Sequence, residues 1–196
     1  MAEIIKDQFA IGARWSSPLW TDESRQGWYS RHGSGIIGFA DSQELSLVPV
    51  ITLRNYLTSD RAAACALHDR AAVVEMQGAC DLRAFIPLAE DAVDGEDFDQ
   101  ATKTVACRNK QLLGFVGVDG NEVTWLYVDP DEFGQGVGRQ LLKAGLANIQ
   151  GLARVHVLAA NHRALGLYGS EGFSIVRRIE TRKNGYPCTV IEMTRC

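Results

Sequence analysis

The sequence predicts an α/β domain of the α+β type, with a mixed, mostly antiparallel central sheet flanked by helices and an N-terminal extension. Two observations lead to this fold class. Short apolar or alternating runs bounded by Gly, Pro, Asn and Asp are typical of strands. Segments with apolar residues at helical spacing lie between them. The predicted order is strand, two helices, three-strand meander, helix, strand, helix and hairpin.

The composition argues against several classes of protein. Hydrophobic residues make up 46% of the chain and charged residues 22%, which is ordinary for a soluble globular protein. A net charge of −4 does not favour nucleic acid as a partner. No apolar run approaches the roughly 18–20 residues of a membrane span, and the N-terminus lacks the apolar core of a signal peptide. The five scattered cysteines indicate reduced thiols, a cytoplasmic location and no metal site.

Residues 1–47 differ from the rest of the chain. They contain Trp15, Trp20 and Trp28, with short strand-like pieces, QFAIGAR and GIIGF, between turn-rich segments. We predict an irregular N-terminal extension with some β structure, followed by the main domain over residues 48–196. The aromatic side chains would cover the main domain or, alternatively, a partner subunit in a homodimer.

The first regular elements follow Val48. VITLRNY alternates as a strand, and TSDRAAACALHDRAAVVEM is predicted to be a helix capped by Thr58 and Ser59. CDLRAFIPLAEDAV is predicted as a second helix, interrupted near Pro87. The acid-rich run EDAVDGEDFD is interpreted as a solvated loop; the alternative is that its charges attract a cationic ligand.

The second half predicts most of the sheet. KTVACRN and KQLLGFVGVDG pair across Asn109-Lys110, and NEVTWLYVDP is the third strand of the meander. GVGRQLLKAGLANIQ is a helix, ARVHVLAA a buried strand, and HRALGLYGSE a short helix that begins after Asn161 and closes at Gly172. The last two strands, FSIVRRIE and YPCTVIEMT, form a hairpin that turns at Asn184-Gly185.

Three glycines stand between a strand and a helix in VDPDEFGQGVGRQLL, residues 128–142. Gly134, Gly136 and Gly138 leave the main chain bare, and the first turn of the helix offers unpartnered N–H groups and a positive dipole end. This arrangement predicts a site for a phosphate-bearing ligand. The alternative is a turn whose glycines only let the helix pack close to its strand. The P-loop and dinucleotide patterns both fail, the second because Arg139 stands where its third glycine belongs.

These glycines and a second motif carry a family resemblance. The glycine turn resembles the pattern Q/R-x-x-G-x-G/A, with Gly136 and Gly138 at the small positions and Phe133 where Gln or Arg is usual. NHRALGLYGSEGF matches a second pattern at Asn161, Ala164, Tyr168, Gly172 and Phe173. Over residues 48–196 the chain therefore resembles the GNAT superfamily of acetyl-CoA-dependent N-acetyltransferases.

The resemblance implies a GNAT-like fold, acetyl-CoA as cosubstrate, no metal, and direct attack of an amine on the thioester through a tetrahedral intermediate. A backbone N–H within Leu126–Val128, with Val128 favoured, would bind the thioester oxygen. The implied cofactor-binding residues are Leu126, Tyr127, Val128, Phe133, Gly134, Gln135, Gly136, Val137, Gly138, Arg139 and Asn161. For Asn161, a purely structural role as helix cap is an equal alternative.

Two side chains are candidate catalytic residues. Tyr168 matches the family tyrosine that protonates the leaving thiolate; the alternative is a core tyrosine. Glu122 stands at the offset where some family members carry a glutamate base; the alternative is an exposed residue at a hairpin tip. His156, on an apolar strand, is predicted to be a core histidine rather than a catalyst.

The resemblance leaves the acceptor open among a small amine, a peptide N-terminus and a lysine. Its groove would lie between residues 57–93 and 181–188. The main alternative to an enzyme is an acyl-CoA-binding regulatory module without transfer activity, which the departure at Phe133 suggests. Acetylation of charged tRNA and a purely structural domain are further alternatives; the net charge disfavours the first, and the second requires two chance motif matches.

Overall fold

A computed structural model describes residues 50–196, at whose centre is a seven-stranded sheet. The strands, in the order β1-β2-β3-β4-β5-β7-β6, are β1 Thr52–Asn55, β2 Thr102–Arg108, β3 Gln111–Asp119, β4 Glu122–Val128, β5 Ala153–Leu158, β6 Ser174–Lys183 and β7 Tyr186–Arg195. The helices are α1 Arg61–Met76, α2 Ala92–Gln100, α3 Val137–Leu146 and α4 His162–Ser170. The predicted fold class is confirmed, whereas the predicted extension, residues 1–47, lies outside the described residues.

The two faces of the sheet bury separate hydrophobic clusters. On one face α3 and α4 pack against the sheet, and Leu141 and Val116 are fully buried there. On the other, α1 and α2 pack against it, with Phe98 and Phe115 at the centre. Since neighbouring residues of a strand point to opposite faces, Phe115 and Val116 serve different clusters. Helices therefore pack on both faces of the sheet. Among residues 50–196, no helix combines the length and the hydrophobicity that a membrane span requires.

Both predicted hairpin turns are present. Asn109 and Lys110 have φ values of 50° and 69°, and Asn184 and Gly185 have values of 47° and 84°. Two consecutive residues with positive φ are characteristic of the type I′ turn, whose twist matches that of paired strands. Local turn residues were sufficient to predict these two connections.

The prediction of a helix over CDLRAFIPLAEDAV is wrong. That segment contains a short 3₁₀ turn, Leu82–Ala84, and a helix begins only at its last two residues. This helix, α2, lies mainly in the acidic run that was interpreted as a loop. The Asp91 side chain accepts hydrogen bonds from the N–H groups of Val93 and Asp94, both at 3.1 Å. These bonds cap the helix, and Phe98, which is fully buried, anchors it to the core.

The predicted caps of the first helix are also wrong. Thr58 and Ser59 lie in a 3₁₀ turn, Thr58–Asp60, that precedes α1. Asp60 closes this turn by accepting a hydrogen bond from the Leu57 N–H at 2.8 Å. Arg54 of β1 donates to the same carboxylate at 2.6 Å. The start of α1 is therefore fixed by a contact with the strand β1.

The neighbouring strands β4 and β5 are the parallel pair of this sheet, and they are paired over only two residues each. Their register covers Glu122 with Arg154 and Val123 with Val155. Beyond these pairs β4 continues to Val128 and β5 to Leu158 without further pairing. The strands therefore separate toward their carboxyl ends and open a gap in the sheet.

Candidate functional site

A cavity of about 570 Å³ lies at the carboxyl end of this gap. Its walls come from the second half of α1, the end of β4, the glycine turn and the start of α4. The volume is within the range of small-molecule and cofactor sites, roughly 300–1,000 Å³. Most of the residues predicted to bind the cofactor line it, namely Leu126, Tyr127, Val128, Phe133, Gly134, Gly136, Val137, Gly138, Arg139 and Asn161. Gln135 is not part of the lining.

Two glycines give the turn its shape. Gly134 and Gly136 have φ values of 79° and 81°, a region that residues with a Cβ rarely adopt. A Cβ added at either position would meet no atom within 4 Å, so the main chain borders open space. Gly138 is different, because its Cβ would lie 3.4 Å from Leu167 and 3.5 Å from Val128. The two expectations for the turn thus apply to different glycines: open main chain at the first two, close helix packing at the third.

The helix α3 begins directly after this turn, with Gly136 as its N-cap. Its Gln140 N–H donates to the Gly136 carbonyl at 3.2 Å, which is the first bond of the helical ladder. By helix geometry the N–H groups of Val137, Gly138 and Arg139 then have no acceptor within the helix. Together with the positive end of the helix dipole, they form a suitable site for an anionic group.

The end of β4 supplies further main-chain donors. The Asp129 N–H donates to the Leu113 carbonyl of β3 at 2.8 Å. Because donors alternate in direction along a strand, the Tyr127 N–H also faces β3, whereas those of Leu126 and Val128 face the opposite way. On that side lies the gap left by β5. Of the three residues expected to contribute the N–H for a thioester oxygen, Leu126 and Val128 have the required direction.

Tyr168 is buried and also lines the cavity, with 5% of its surface exposed. Its ring packs edge-on against Phe173 at 5.5 Å, so it belongs to the core as well as to the site. Burial, and then the nearby Glu75 carboxylate, raise the pKa of Tyr168 well above the usual value for a phenol. The side chain consequently remains a neutral hydrogen-bond donor over the physiological range of pH.

Glu75 is the carboxylate of the cavity wall on α1. It accepts a hydrogen bond from the Tyr127 hydroxyl at 2.9 Å and a longer one, 3.4 Å, from the Asn161 amide. The Asn161 side-chain oxygen accepts from the Ala164 N–H at 3.1 Å, which confirms its role as the cap of α4. Glu75 is therefore held in place by residues from β4 and from the start of α4.

Comparison with known proteins finds a family match over part of the chain that includes the β4, glycine-turn and α4 walls of this cavity. Residues 99–175 match the model of the acetyltransferase (GNAT) domain family. Over these residues the chain is similar to GNAT acetyltransferase domains. The peptidyl-lysine N-acetyltransferase YjaB of Salmonella typhimurium is 32% identical over 81 residues, which cover 41% of this chain and 55% of that protein. The chain thus spans about half the length of that curated relative.

Solved structures share the fold of the described residues. A GCN5-related N-acetyltransferase from Rhodopseudomonas palustris has a TM-score of 0.65 at 23% identity and covers 75% of this chain and 94% of its own. The structure of yncA from Salmonella typhimurium with its cofactor acetyl-CoA has a TM-score of 0.57 at 19% identity, covering 74% of this chain and 92% of its own.

The structure does not bring Glu122 into the cavity lining. Glu122 begins β4, whereas the lining of the cavity starts at Leu126 on this strand, so about 13 Å of strand separates the two. Its carboxylate pairs with His156 Nδ1 at 2.7 Å. The role of Glu122 as a base stays a prediction that this position does not favour.

His156 is not the core histidine that the sequence suggested. On β5 its neighbours Val155 and Val157 point into the core, so His156 points to the other face, where 22% of its side chain is exposed. The hydrogen bond to Glu122 is the main reason why its pKa is raised. Glu192 lies 3.5 Å from its Nε2 atom and acts in the same direction.

Glu75 and Arg163 are two charged residues among those of the cavity lining that the sequence did not predict. Glu75 stands in the last turn of α1, where the negative end of the helix dipole disfavours a carboxylate. That local conflict was a usable signal. No local sequence signal pointed to Arg163, because its position over the Phe133 ring depends on two segments far apart in sequence.

Proposed function

We propose that this domain transfers the acetyl group of acetyl-CoA to a primary amine by direct attack. The observation that carries the proposal is the outward-facing main chain of the glycine turn, at one end of a cavity that also contains Tyr168 and Glu75. YjaB, by its name, acts on peptidyl-lysine, and yncA has acetyl-CoA as its cofactor, which supports the cosubstrate and the class of acceptor.

The glycine turn would hold the diphosphate of acetyl-CoA. The N–H groups of Val137, Gly138 and Arg139 are directed along the start of α3, and the open space over Gly134 and Gly136 admits a bulky anion. The pantetheine chain would then lie in the gap between β4 and β5. This arrangement brings the thioester toward the N–H groups of Leu126 and Val128.

The β4 donors would stabilise the transition state. As the amine attacks, negative charge develops on the thioester oxygen, and a fixed N–H at that point binds the oxyanion more tightly than the carbonyl. The sequence favours Val128 for this role, and the direction of its N–H agrees. Leu126 has the same direction and is the second candidate.

Tyr168 would stabilise the leaving thiolate of coenzyme A. Its raised pKa makes it a poorer acid than an ordinary phenol, whose pKa is about 10, so transfer of its proton to a thiolate is unfavourable. We therefore assign it a hydrogen bond to the sulfur rather than the proton transfer that the family resemblance implies. The thiolate leaves with the electron pair of the broken C–S bond.

Glu75 would bind the amine and accept its proton. An amine that is cationic at neutral pH is attracted to a carboxylate and must lose a proton before its lone pair can attack. Glu75 is a carboxylate of the cavity wall, and Tyr127 and Asn161 fix its orientation. The acceptor class that fits best is the lysine side chain of a peptide, whose length allows entry from the protein surface.

An acceptor panel tests this proposal. The full chain is incubated with acetyl-CoA and an N-terminally blocked lysine peptide, a peptide with only a free N-terminus, or a small diamine. Acetylated product is measured by mass spectrometry and released CoA by thiol assay. We expect the blocked lysine peptide to be the best acceptor; tight acetyl-CoA binding with no product from any amine would instead support a regulatory module.

A further inference from the structure

An arginine of α4 and the unusual phenylalanine of the glycine motif form a pair at the cavity. The guanidinium carbon of Arg163 lies 3.9 Å from the centre of the Phe133 ring, which is close for a cation–π contact. Both residues line the cavity, Phe133 from the end of a 3₁₀ turn and Arg163 from the first turn of α4. The ring occupies the face of the guanidinium, and its N–H groups, which lie in the plane, keep their capacity to donate.

The two arginines of the cavity lining differ in their partners. Arg139 donates to the Glu171 carboxylate at 2.7 Å and to the Ser170 hydroxyl at 3.2 Å, so its charge is already matched. Arg163 forms no ion pair with any carboxylate of the part of the chain that the structure describes. Arg163 is therefore the cavity arginine whose charge is available to an anionic ligand.

We propose that Arg163 binds a phosphate group of coenzyme A and that Phe133 is a positioning residue that holds the guanidinium for this contact. The pair would replace the Gln or Arg side chain of the family pattern that this glycine turn resembles. An arginine stacked on a ring loses little entropy when it binds phosphate, and its planar fork suits phosphate oxygens. The proposal rests on the proposed function, since it names a contact to the same cosubstrate.

Calorimetric titration of CoA into a set of variants tests the pair. Arg163→Gln is expected to weaken binding about tenfold or more, since a charge-assisted hydrogen bond is lost. Phe133→Leu keeps an apolar side chain but no ring, and is expected to weaken binding about twofold to fivefold. Phe133→Tyr restores a ring and is expected to retain the affinity. Arg178→Gln is the matched control, because it removes an exposed arginine of β6 that pairs with Glu180.

The double variant tests positioning. If Phe133 acts through Arg163, Phe133→Leu causes no further loss in the Arg163→Gln background, whereas additive losses contradict the positioning role. Repeating the titrations with dephospho-CoA, which lacks the 3′-phosphate, assigns the group. A loss that persists identifies the diphosphate, and a loss that disappears identifies the 3′-phosphate. An Arg163→Gln protein that binds CoA like the wild type overturns the proposal, while a folded wild type without CoA binding overturns the proposed function itself.

A second and independent observation concerns two cysteines that lie opposite each other at β7. Cys80, which follows α1, forms an isolated antiparallel bridge with Cys188 of β7. Opposed residues in such a bridge have Cα atoms about 4.5–5.5 Å apart, within the roughly 4.4–6.8 Å of disulfides. The two thiols interact, since Cys80 adds to the effect of burial in raising the pKa of Cys188. Both are free thiols, and Cys80 is partly accessible.

We infer that Cys80 and Cys188 are a site of reversible disulfide formation. With hydrogen peroxide as oxidant, the two thiols lose their hydrogens, a single S–S bond forms, and the peroxide is reduced to two molecules of water. The bond would join the segment after α1 to β7. Because Glu75 and Gln77 of the cavity wall directly precede this segment, oxidation would fix that wall to the sheet.

Peptide mapping after peroxide treatment tests the inference. Digestion without reductant is expected to yield a linked Cys80–Cys188 peptide pair, and the oxidised protein to unfold at a higher temperature than the reduced one. Cys80→Ser should abolish both effects, and Cys196→Ser, at an exposed thiol, should leave them unchanged. Wild-type protein in which Cys80 and Cys188 stay reduced, or pair with other cysteines, overturns it.

Discussion

The cavity has two walls that differ in how they present their chemistry. On the side of the glycine turn and β4, backbone N–H donors face the cavity, and their directions follow from a helix start and a strand end. On the side of α1, the polar group is a side chain, Glu75, which Tyr127 and Asn161 hold from other elements. The first wall suits a ligand shared by many proteins, and the second can vary with the acceptor.

This difference has a consequence for substitutions. A backbone donor persists when its own side chain changes, so the glycine-turn wall is sensitive to changes in φ and to added bulk or charge. The α1 wall is sensitive to the loss of one carboxylate. The most damaging substitutions should thus be those that add bulk or charge at the glycine-turn wall and those that remove the Glu75 carboxylate at the α1 wall.

The largest effect is expected at Gly136. Gly136→Asp places a carboxylate in the open space that the diphosphate would occupy, at a φ of 81° that strains any L residue. Like-charge contact costs several kcal/mol, so acetyl-CoA binding measured by calorimetry should fall about a hundredfold or more. Gly138→Ala is the matched control, because its Cβ meets neighbours only at ordinary contact distances and binding should be nearly unchanged. Equal losses in both variants would contradict the distinction between the two glycines.

The next effect is expected on the opposite wall. Glu75→Gln keeps the size of the side chain but removes its charge and its ability to accept a proton, so kcat should fall about a hundredfold with little change in acetyl-CoA affinity. The acid limb of the pH–rate profile should disappear in the same variant. Glu122→Gln provides the comparison, since its position away from the cavity predicts a profile like that of the wild type. If the limb instead disappears in Glu122→Gln, the base is Glu122 and the α1 wall only shapes the cavity.

The same two walls show how far the sequence could predict the site. The glycine turn, the start of α3 and the cap at Asn161 follow from residues close together in the chain, and each was predicted. The burial of Tyr168 corresponds to the alternative given for that residue, a core tyrosine. The helix α2 was missed because a solvated acidic run and a capped amphipathic helix differ by one buried aromatic residue, Phe98. Glu75 was missed because its partners lie on β4 and α4, and such convergence depends on the whole fold.

A moderate effect is expected at Tyr168, which belongs to both the core and the cavity. Tyr168→Phe should lower kcat about tenfold, through loss of one hydrogen bond to a charged sulfur, while acetyl-CoA affinity stays within about twofold. Because the pKa of Tyr168 is raised, its ionisation should not limit the rate below about pH 10. A basic limb that vanishes specifically in Tyr168→Phe would show that proton transfer, rather than a hydrogen bond alone, is its role.

The smallest effect is expected on the stability of the fold, at His156, which does not line the cavity. Its folded-state pKa is raised, chiefly by Glu122, so protonated His156 stabilises the fold below its unfolded pKa of about 6.5, and this contribution is lost as the pH rises through the folded value. His156→Gln should remove that pH dependence, with a change in the free energy of unfolding below about 1 kcal/mol because the pair is partly exposed. Denaturant unfolding between pH 5.5 and 8 measures it. Glu122→Gln breaks the same pair. If that variant loses the pH dependence of stability but keeps the acid limb of the rate profile, the structural role of Glu122 is separate from catalysis and Glu75 on the α1 wall remains the source of the base.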